Sequence, residues 1–351
     1  MFNSLTLENM AAFQKLQWQP DEHLNLIIGE NDSGKTHLLK LLYGIARSLE
    51  DYQKRKNSDQ SLRWAEVLAE KLRWTFQPPA LKLGQLVHKG KSQLSVNAQL
   101  ADNSINLSFS FGDKTTRQIR QFTPKVLETN TLIRALFLPP KEILTVMDAI
   151  EATRSQLEII GFDDTYIDLI RTLRLPESQG KLHPDLKKAV ALLDEQMGNG
   201  QIDIEKNEWV FKRADMNKYA MSQTAEGFKK LGILNRLLKN RMLKPGSILF
   251  VDEPEVNLHP KAVVALVDIF FQIAQSGIQI YIATHSYFVL RRFEWLARKY
   301  NKSIGLCSLF RHPKNGVVAQ FDNLRDGMPA NSIIDVSIEL YERNVRLDFE
   351  T

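Results

Sequence analysis

The stretch Gly29-Glu30-Asn31-Asp32-Ser33-Gly34-Lys35-Thr36 decides the fold, because it reads G-x-x-x-x-G-K-T. An apolar run from Leu24 to Ile28 precedes it, and apolar residues at helical spacing follow it from His37 to Leu49. A glycine loop between a buried strand and a helix is the context of a phosphate-binding P-loop, whose backbone N–H groups face the anion. The stretch therefore predicts binding of a nucleoside triphosphate. The residues expected to line it are Gly29, Asn31, Asp32, Ser33 and Gly34, with Lys35 on the β- and γ-phosphates and Thr36 on Mg²⁺.

A second motif, nearer the C-terminus, supplies the acids that such a site needs. The apolar run from Ser247 to Val251 ends in Asp252 and Glu253, which is the Walker B arrangement. An acid at the carboxyl end of a strand beside the P-loop strand can hold Mg²⁺, and we assign that role to Asp252. Glu253 is then the candidate general base that polarises the attacking water. The alternative is a strand that simply exits into solvated acids, and the complete P-loop upstream argues against it.

One histidine is marked by its spacing from these acids. His285 follows Asp252 by 33 positions, within Ala283-Thr-His-Ser286, where a strand–helix–strand connection from Walker B would end. A histidine in that place can hydrogen-bond the γ-phosphate and sense its loss. The alternative for His285 is a structural role at a strand end, and the spacing favours the functional one. His259 is the poorer candidate, because it precedes Pro260 and can simply shape that turn.

The composition is that of a globular protein. Of 351 residues, 43% are hydrophobic and 25% charged, which suffices for a core without covalent staples. The single cysteine, Cys307, cannot form an internal disulfide, and the N-terminus lacks a secretory pattern. The longest apolar helical stretch, Val263 to Ala274, contains Asp268 and is too short to span a bilayer. We expect a cytoplasmic protein with no membrane partner, and the net charge of +5 permits contact with DNA without demonstrating it.

Taken together, the motifs resemble those of ATP-binding-cassette (ABC) ATPases of the SMC, RecF and OLD lineage. The resemblance is carried by Gly29–Thr36, Val251–Pro260 and Thr284–Ser286, at both ends of the chain. The part of the second segment from Glu253 onward is closer to that branch than to transporter cassettes. The resemblance implies a P-loop NTPase fold of ABC type that hydrolyses ATP with Mg²⁺. It also implies a homo-oligomer, at least a dimer, in which two cassettes enclose two ATP molecules.

In that family each P-loop faces a signature segment of the partner cassette, and residues 221–231 match that segment here. Gly227 aligns with the signature glycine, and Ala225 stands where the family usually has a serine. The resemblance implies that both contact the γ-phosphate across the dimer, with Thr224 or Ser222 as alternative sources of the hydroxyl. The replacement of the family's serine by Ala225 indicates slow or partner-regulated hydrolysis.

The family also carries a glutamine that ligates Mg²⁺ between its two subdomains, and no residue here matches it clearly. Gln118 and Gln121 are weak candidates. The segment Phe137 to Glu142 is suited by position to that junction instead.

The fold class expected from this resemblance and from residue periodicity is α/β, a P-loop NTPase of ABC type with a mixed sheet. Alternation in 94–100 and 105–111 predicts an antiparallel hairpin with one buried face, 132–138 predicts a strand, and the charged stretch 50–59 is expected to be solvated. The predicted division has an N-terminal ATPase lobe (1–140) with the P-loop and an antiparallel layer, a helical insertion lobe ending in a hairpin (141–215), and a C-terminal ATPase lobe with signature, Walker B and histidine (216–351).

Several branches of the lineage are excluded by what the sequence lacks. It has no long heptad arms, no Cys-x-x-Cys for a zinc hook, and no D-x-D pair after His285 for a Toprim nuclease. A stand-alone cassette remains, which resembles ATPases of anti-phage defence systems whose nuclease or toxin is a separate protein. We therefore expect a dimerising switch that controls a separate effector. Residues 141–197 are either the partner-facing surface or an ordinary helical lobe.

Two other functions stay open. A RecF-like DNA clamp or loader would use the basic residues of one helix, which alternatively form a solvated face; they are Lys229, Lys230, Arg236, Lys239 and Arg241. The ATPase subunit of a transporter is disfavoured by the segment Glu255 to Pro260 and by the altered signature.

Overall fold

The computed structural model describes residues 1–56, 58, 61–101, 103–126, 132–157, 159–176, 182–206, 208–312 and 316–350. Its strands are β1 Phe2–Met10, β2 Phe13–Trp18, β3 Leu24–Gly29, β4 Gln93–Leu100, β5 Ile105–Gly112, β6 Gln121–Val126, β7 Arg134–Leu138, β8 Gln201–Glu205, β9 Glu208–Lys212, β10 Lys218–Ala220, β11 Ser247–Asp252, β12 Gln279–Thr284, β13 Gly305–His312 and β14 Gly316–Asn323. The α-helices are α1 Lys35–Arg55, α2 Trp64–Phe76, α3 Met147–Glu151, α4 Asp164–Leu173, α5 Lys187–Gln196, α6 Glu226–Lys239, α7 Pro260–Gln275, α8 Tyr287–Tyr300 and α9 Ser332–Glu350. Among the described residues, no helix is both long and apolar enough to cross a bilayer.

Eleven strands form one mixed sheet in the order β6-β5-β4-β1-β2-β14-β13-β3-β12-β11-β7. Strands β13, β3, β12, β11 and β7 are parallel to their neighbours within this group, whereas β1, β2, β4, β5 and β6 form an antiparallel layer. The predicted fold class is therefore confirmed, including the antiparallel hairpin of β4 and β5. One expectation was wrong in detail: β11 does not lie beside the P-loop strand β3, because β12 pairs with both of them.

Apolar residues on both faces of the parallel strands bury the sheet between two layers of helices. Alternate residues of β3 belong to opposite cores, with Leu26 on one side and Ile27 on the other, as the twofold period of a strand requires. Helices α1 and α2 cover one face, and α4 to α8 contribute to the core on the other. Burial on both faces explains why β3, β11 and β12 read as continuous apolar runs rather than alternating ones.

The stretch from Glu50 to Asp59 differs from its expected solvated state. Helix α1 continues to Arg55, and Glu50 is buried with its carboxylate accepting a hydrogen bond from the backbone N–H of Ala135 at 3.0 Å. The charged run therefore begins inside the helix, on the face turned toward β7. Asn57, Asp59 and the residue after it lie outside the described residues.

The insertion packs on the rest of the chain through apolar and charged contacts. Its hairpin is present as β8 and β9, and β10 adds a third strand. Buried Lys71 of α2 donates to Asp164 and Asp168 of α4 at 2.9 and 2.8 Å, and the Tyr43 hydroxyl of α1 donates to Asp168 at 2.6 Å. Burial alone would lower the pKa of Lys71, but these carboxylates outweigh it and raise that pKa to about 12. The P-loop helix is thus tied to α4, and the three-lobe division stays a prediction.

Candidate nucleotide-binding site

The loop from Gly29 to Thr36 has the backbone conformation that a phosphate cradle needs. Asp32 and Gly34 have positive φ angles of 61° and 89°, and a side chain at Gly29 would place its Cβ 2.5 Å from the Leu309 carbonyl oxygen. Helix α1 begins directly after Gly34, and no side chain caps it. Its first N–H groups have no partner within the helix, so they are available to an anion. The buried hydroxyl of Ser33 also has no hydrogen-bond partner among the described residues, and a polar ligand bound in the loop could supply one.

Lys35 lies inside this loop rather than in solvent. Its ammonium donates to the carbonyl oxygens of Gly29 and Glu30 at 2.8 Å each, and the side chain is buried. Burial lowers the pKa of Lys35, and the charges of nearby Glu253 and Asp252 oppose that shift. The structure therefore brings the predicted phosphate-binding lysine and the predicted acids into one crevice.

Thr36 and Asp252 join the two motifs directly. The Thr36 hydroxyl donates to the Asp252 carboxylate at 2.9 Å, across 216 positions of sequence. Burial raises the pKa of Asp252 to about 6; the hydrogen bond from Thr36 lowers it and the charge of Glu253 raises it further. A hydroxyl and a carboxylate are hard oxygen ligands of the kind that Mg²⁺ prefers, and a cation there would offset the cost of ionising Asp252. These two residues fit the predicted metal role.

Glu253 and His285 meet beyond the ends of their strands. Glu253 has a positive φ of 48°, and its N–H donates to the Ala283 carbonyl at 2.9 Å, which fixes the turn after β11 against β12. The Nδ1 atom of His285 lies 3.5 Å from Oε1 of Glu253. The structure brings these two predicted catalytic residues together, while their roles stay predictions.

The signature segment forms the start of α6. Ala225 is its N-cap residue, without a side-chain cap, and a Cβ on Gly227 would lie 3.1 Å from Leu258 in the loop after Walker B. Of the two candidate hydroxyls, that of Thr224 donates to the Ala220 carbonyl at 3.0 Å, whereas Ser222 is exposed. A contact of Ala225 and Gly227 with a partner's nucleotide remains a prediction.

The weak glutamine candidates lie away from this crevice. Gln121 belongs to the edge strand β6, which six strands separate from β3, and its carbonyl accepts a hydrogen bond from Gln93. Gln118 lines a surface groove with residues of α2 and β6. The segment after β7 does approach Asp252: Lys141 and Glu142 share with it the lining of a small cavity of about 40 Å³.

The basic residues of α6 are neither a solvated face nor a free cationic patch. Several of them pair inside the protein: Lys229 with Glu226 at 2.8 Å, Lys230 with the Val256 carbonyl at 2.7 Å, Arg236 with the Leu173 carbonyl at 2.9 Å and Lys239 with Asp194 at 3.2 Å. This helix therefore gives no support to the clamp interpretation.

Two residues of the site were missed by sequence reasoning. Arg311, near the end of β13, donates to the backbone carbonyl of Asp32 in the P-loop and pairs with its carboxylate. Glu255 lies at the turn after Walker B and accepts hydrogen bonds from Thr284, the last residue of β12, and from His285 after it. Arg311 belongs to no motif, whereas Glu255 stood within the run Asp252 to Pro260 without a role assigned to it.

Comparison with known proteins identifies the family of this chain and structures that share its fold. Residues 24–291 match the family model described as "AAA domain, putative AbiEii toxin, Type IV TA system". None of the curated proteins matches the chain.

Solved structures of Smc head domains share the fold at low sequence identity. An SmcHead bound to the C-winged helix domain of ScpA is 11% identical, with a TM-score of 0.55 over 93% of this chain and 99% of that one. The Pyrococcus furiosus Smc head domain with an extended coiled coil, bound to the C-terminal domain of ScpA, is 12% identical, with a TM-score of 0.53 over 97% and 99%. The SMC head domain from Thermotoga maritima is 12% identical, with a TM-score of 0.50 over 92% and 98%. At these identities the likeness shows the fold alone.

Proposed function

The chain belongs to the AAA-domain family whose model matches residues 24–291, and from that premise we propose that it is an ATP-hydrolysing switch. The ABC lineage inferred from the motifs is confirmed by this match together with the Smc-head fold. In the proposal two copies enclose ATP at their P-loops, and the closed dimer controls a separate effector. The observation that carries it is the 2.9 Å contact between Thr36 and Asp252, which makes one oxygen-lined site of the two motifs.

In the proposal, different residues of the crevice bind the phosphates and the metal ion. The N–H groups at the start of α1 and the Lys35 ammonium hold the β- and γ-phosphates. Thr36 and Asp252 hold Mg²⁺, which supplies charge neutralisation at the phosphate oxygens. The contacts with Gly29 and Glu30 already hold the Lys35 ammonium within the loop. When ATP binds, this ammonium exchanges its two carbonyl acceptors for phosphate oxygens.

Hydrolysis is assigned to Glu253 and His285. Glu253 takes a proton from water as the water oxygen bonds to the γ-phosphorus and the bond to the bridging oxygen breaks, so that ADP and phosphate form. His285 approaches the Glu253 carboxylate through Nδ1, and Nε2 is left to donate to the γ-phosphate. Only the His285 donor acts on the developing negative charge at the γ-phosphate, where a fixed donor contributes most; the Glu253 carboxylate acts on the proton of the water.

The proposed dimer uses the two helix starts that belong to the motifs; the lack of a side-chain cap is shared with α2, α3 and α5 and marks no site by itself. Helix α1 follows Gly34 and α6 follows Ala225, and neither has a side-chain cap. In the proposal α1 of one copy and α6 of the other face the same γ-phosphate. The loss of that phosphate then favours the open state, and a bound effector responds through the shift in population.

Control of an effector is supported by the insertion segment. Five large apolar residues described there are exposed, namely Val146, Leu157, Ile159, Ile160 and Leu175. Three of them, Leu157, Ile159 and Ile160, lie within four positions of the chain, and a contiguous exposed apolar patch is typical of a protein-binding surface. The family description, which names a toxin and a toxin–antitoxin system, supports a nuclease or toxin as effector and a role in anti-phage defence. The Smc heads bound to parts of ScpA show that a protein partner can dock on this fold.

The DNA clamp remains a second candidate because of one groove. It lies between α2 and β6 with a volume of about 940 Å³, and its charged lining residues are Arg63, Arg73, Arg117 and Arg120 against Glu66 and Glu70. Burial lowers the pKa of Arg73, and the neighbouring charge of Arg117 lowers it further, so the cations repel one another. Salt-sensitive, ATP-dependent binding of a DNA duplex, lost on Arg117→Glu, would favour this candidate.

Glu253→Gln tests the proposed switch. The variant is expected to bind ATP with Mg²⁺, to hydrolyse it at least 100-fold more slowly, and to accumulate as a dimer, because the base is lost while the binding groups stay (about 10²–10⁴ for general base catalysis). Phosphate release and light scattering after gel filtration measure these outcomes. Glu205→Gln is the matched control, since the two side chains are similarly exposed (31% and 33%). Hydrolysis by Glu253→Gln at the parent rate would refute the assignment of the base.

A further inference from the structure

Glu255 is an acid of this crevice to which the hydrolysis scheme gives no role. Its Oε1 accepts a hydrogen bond from the Thr284 hydroxyl at 2.7 Å and from the backbone N–H of His285 at 3.2 Å. The Thr284 hydroxyl oxygen in turn accepts from the N–H of Ser286 at 3.0 Å. One carboxylate oxygen thus fixes three consecutive residues of the turn between β12 and α8.

This turn sets the position of the His285 ring. Nδ1 of His285 lies 3.5 Å from the Glu253 carboxylate and 3.8 Å from that of Glu255. The His285 side chain is 49% exposed, whereas that of Glu255 is 10% exposed. Surrounding side chains therefore do not immobilise the ring, and its placement depends on the backbone that Glu255 holds.

The loop that carries Glu255 also contacts the signature helix. Lys230 of α6 donates to the Val256 carbonyl at 2.7 Å, and Gly227 packs against Leu258 with room for no larger residue unless Leu258 moves. The second carboxylate oxygen of Glu255, Oε2, is buried and has no hydrogen-bond partner among the described residues. An unpaired buried acceptor costs free energy, so a small shift that brings a donor such as Lys230 to it is favourable.

We propose that Glu255 is a positioning residue that holds His285 toward Glu253 and links that position to the signature helix. The inference rests on the proposed function, in which α6 meets the partner's nucleotide and His285 meets its own. A movement of α6 then reaches His285 through Val256 and Glu255 within one protomer. The two ATP sites of a dimer are coupled by this path.

Two substitutions test the positioning without changing the shape of the site. Glu255→Gln removes the charge, and Thr284→Val removes the hydroxyl that bridges to Ser286. The backbone amide proton of His285, followed by selective ¹⁵N-histidine labelling, is expected to move upfield in both variants as its hydrogen bond to a carboxylate weakens. The kcat for ATP is expected to fall about 10- to 100-fold with KM within about twofold, which is the cost of a misplaced catalytic group.

Thr284→Ser and Glu294→Gln are the controls. The serine keeps the hydroxyl and is expected to restore both the amide shift and kcat. Glu294 is as buried as Glu255 (8% exposed) but pairs with Arg291 on α8, so its loss should leave both readouts unchanged. An unshifted His285 amide in both test variants, or a shifted amide with unchanged kcat, overturns the proposal. If the His285 amide shifts in both variants but the parent protein shows no ATP turnover, the proposed function is overturned instead, and Glu255 remains the residue that positions His285.

Discussion

Replacing Asp252 with asparagine is expected to stabilise the metal-free protein at alkaline pH. The carboxylate is buried, and its pKa in the folded chain, about 6, lies above the unfolded value of 3.8. As the pH rises, the unfolded chain therefore loses this proton first, and ionisation favours unfolding. The stability contributed by the protonated acid is fully present below pH 3.8 and is lost as the pH rises through 6.

The size of this effect follows from the two pKa values. At 1.36 kcal/mol for each tenfold difference in proton affinity, the buried charge destabilises the fold by about 3 kcal/mol at pH 8, and by about half as much at pH 5. An unfolding entropy of about 2.1 cal/mol/K per residue over 351 residues converts 3 kcal/mol into about 4 °C of Tm. Asparagine keeps an acceptor for the Thr36 hydroxyl, so the substitution removes the charge alone.

Thermal unfolding followed by circular dichroism in EDTA measures the prediction. Asp252→Asn should melt about 4 °C above the parent at pH 8 and about 2 °C above it at pH 5. With Mg²⁺ and ATP the order should reverse, because only the parent gains from binding the cation. Asp326→Asn, which removes an exposed acid (68% exposed), should show neither effect. A metal-free Asp252→Asn that melts at or below the parent at pH 8 would refute the reasoning.

Two further predictions concern lysines. Lys35→Ala should abolish binding of a fluorescent ATP analogue, because it removes the ammonium that bonds to the Gly29 and Glu30 carbonyls here and to the phosphates in the proposal. Retained affinity would contradict the P-loop role. Lys71→Met should lower the free energy of unfolding by about 3–5 kcal/mol, since it leaves the buried carboxylates of Asp164 and Asp168 unpaired. Half-exposed Lys54→Met is the calorimetric control, with an expected loss below about 1 kcal/mol, and equal losses for both lysines would contradict the network.

The parts of the fold nearest the site were predictable because local pattern and motif agree there. Strands β3, β11 and β12 are continuous apolar runs, and each ends at a residue with a chemical signature: Gly29, Asp252 and Thr284. Parallel strands place their carboxyl ends at one edge of a sheet. If the three apolar runs form parallel strands, the motifs at their ends must therefore lie close together. Helix α8 follows local signals too, because the Ser286 side chain caps its start and Asn301 ends it in the left-handed conformation.

The burial and the partners of charged residues could not be predicted from the sequence. Glu50 looked like the first residue of a solvated run, and it is buried because a backbone N–H of β7 lies opposite it. Lys230 alternates with leucines as an exposed residue would, and it instead caps a carbonyl of the loop after Walker B. In both cases the partner is a backbone group far along the chain, and a one-dimensional pattern contains no record of it.

The order of the strands could not be predicted from the sequence either, and this order determines where the turn held by Glu255 lies. The connection from β11 through α7 returns to the same sheet, and β12 takes the position between β11 and the P-loop strand. The turn after β12 therefore lies between the phosphate loop and the acids, and neighbouring strands are only about 4.8 Å apart. His285 at that turn lies beside the acids that follow β11, and in the proposal the residue that fixes the turn sets its position there. Glu255 holds that place because it follows β11 by three residues and bonds to the end of β12.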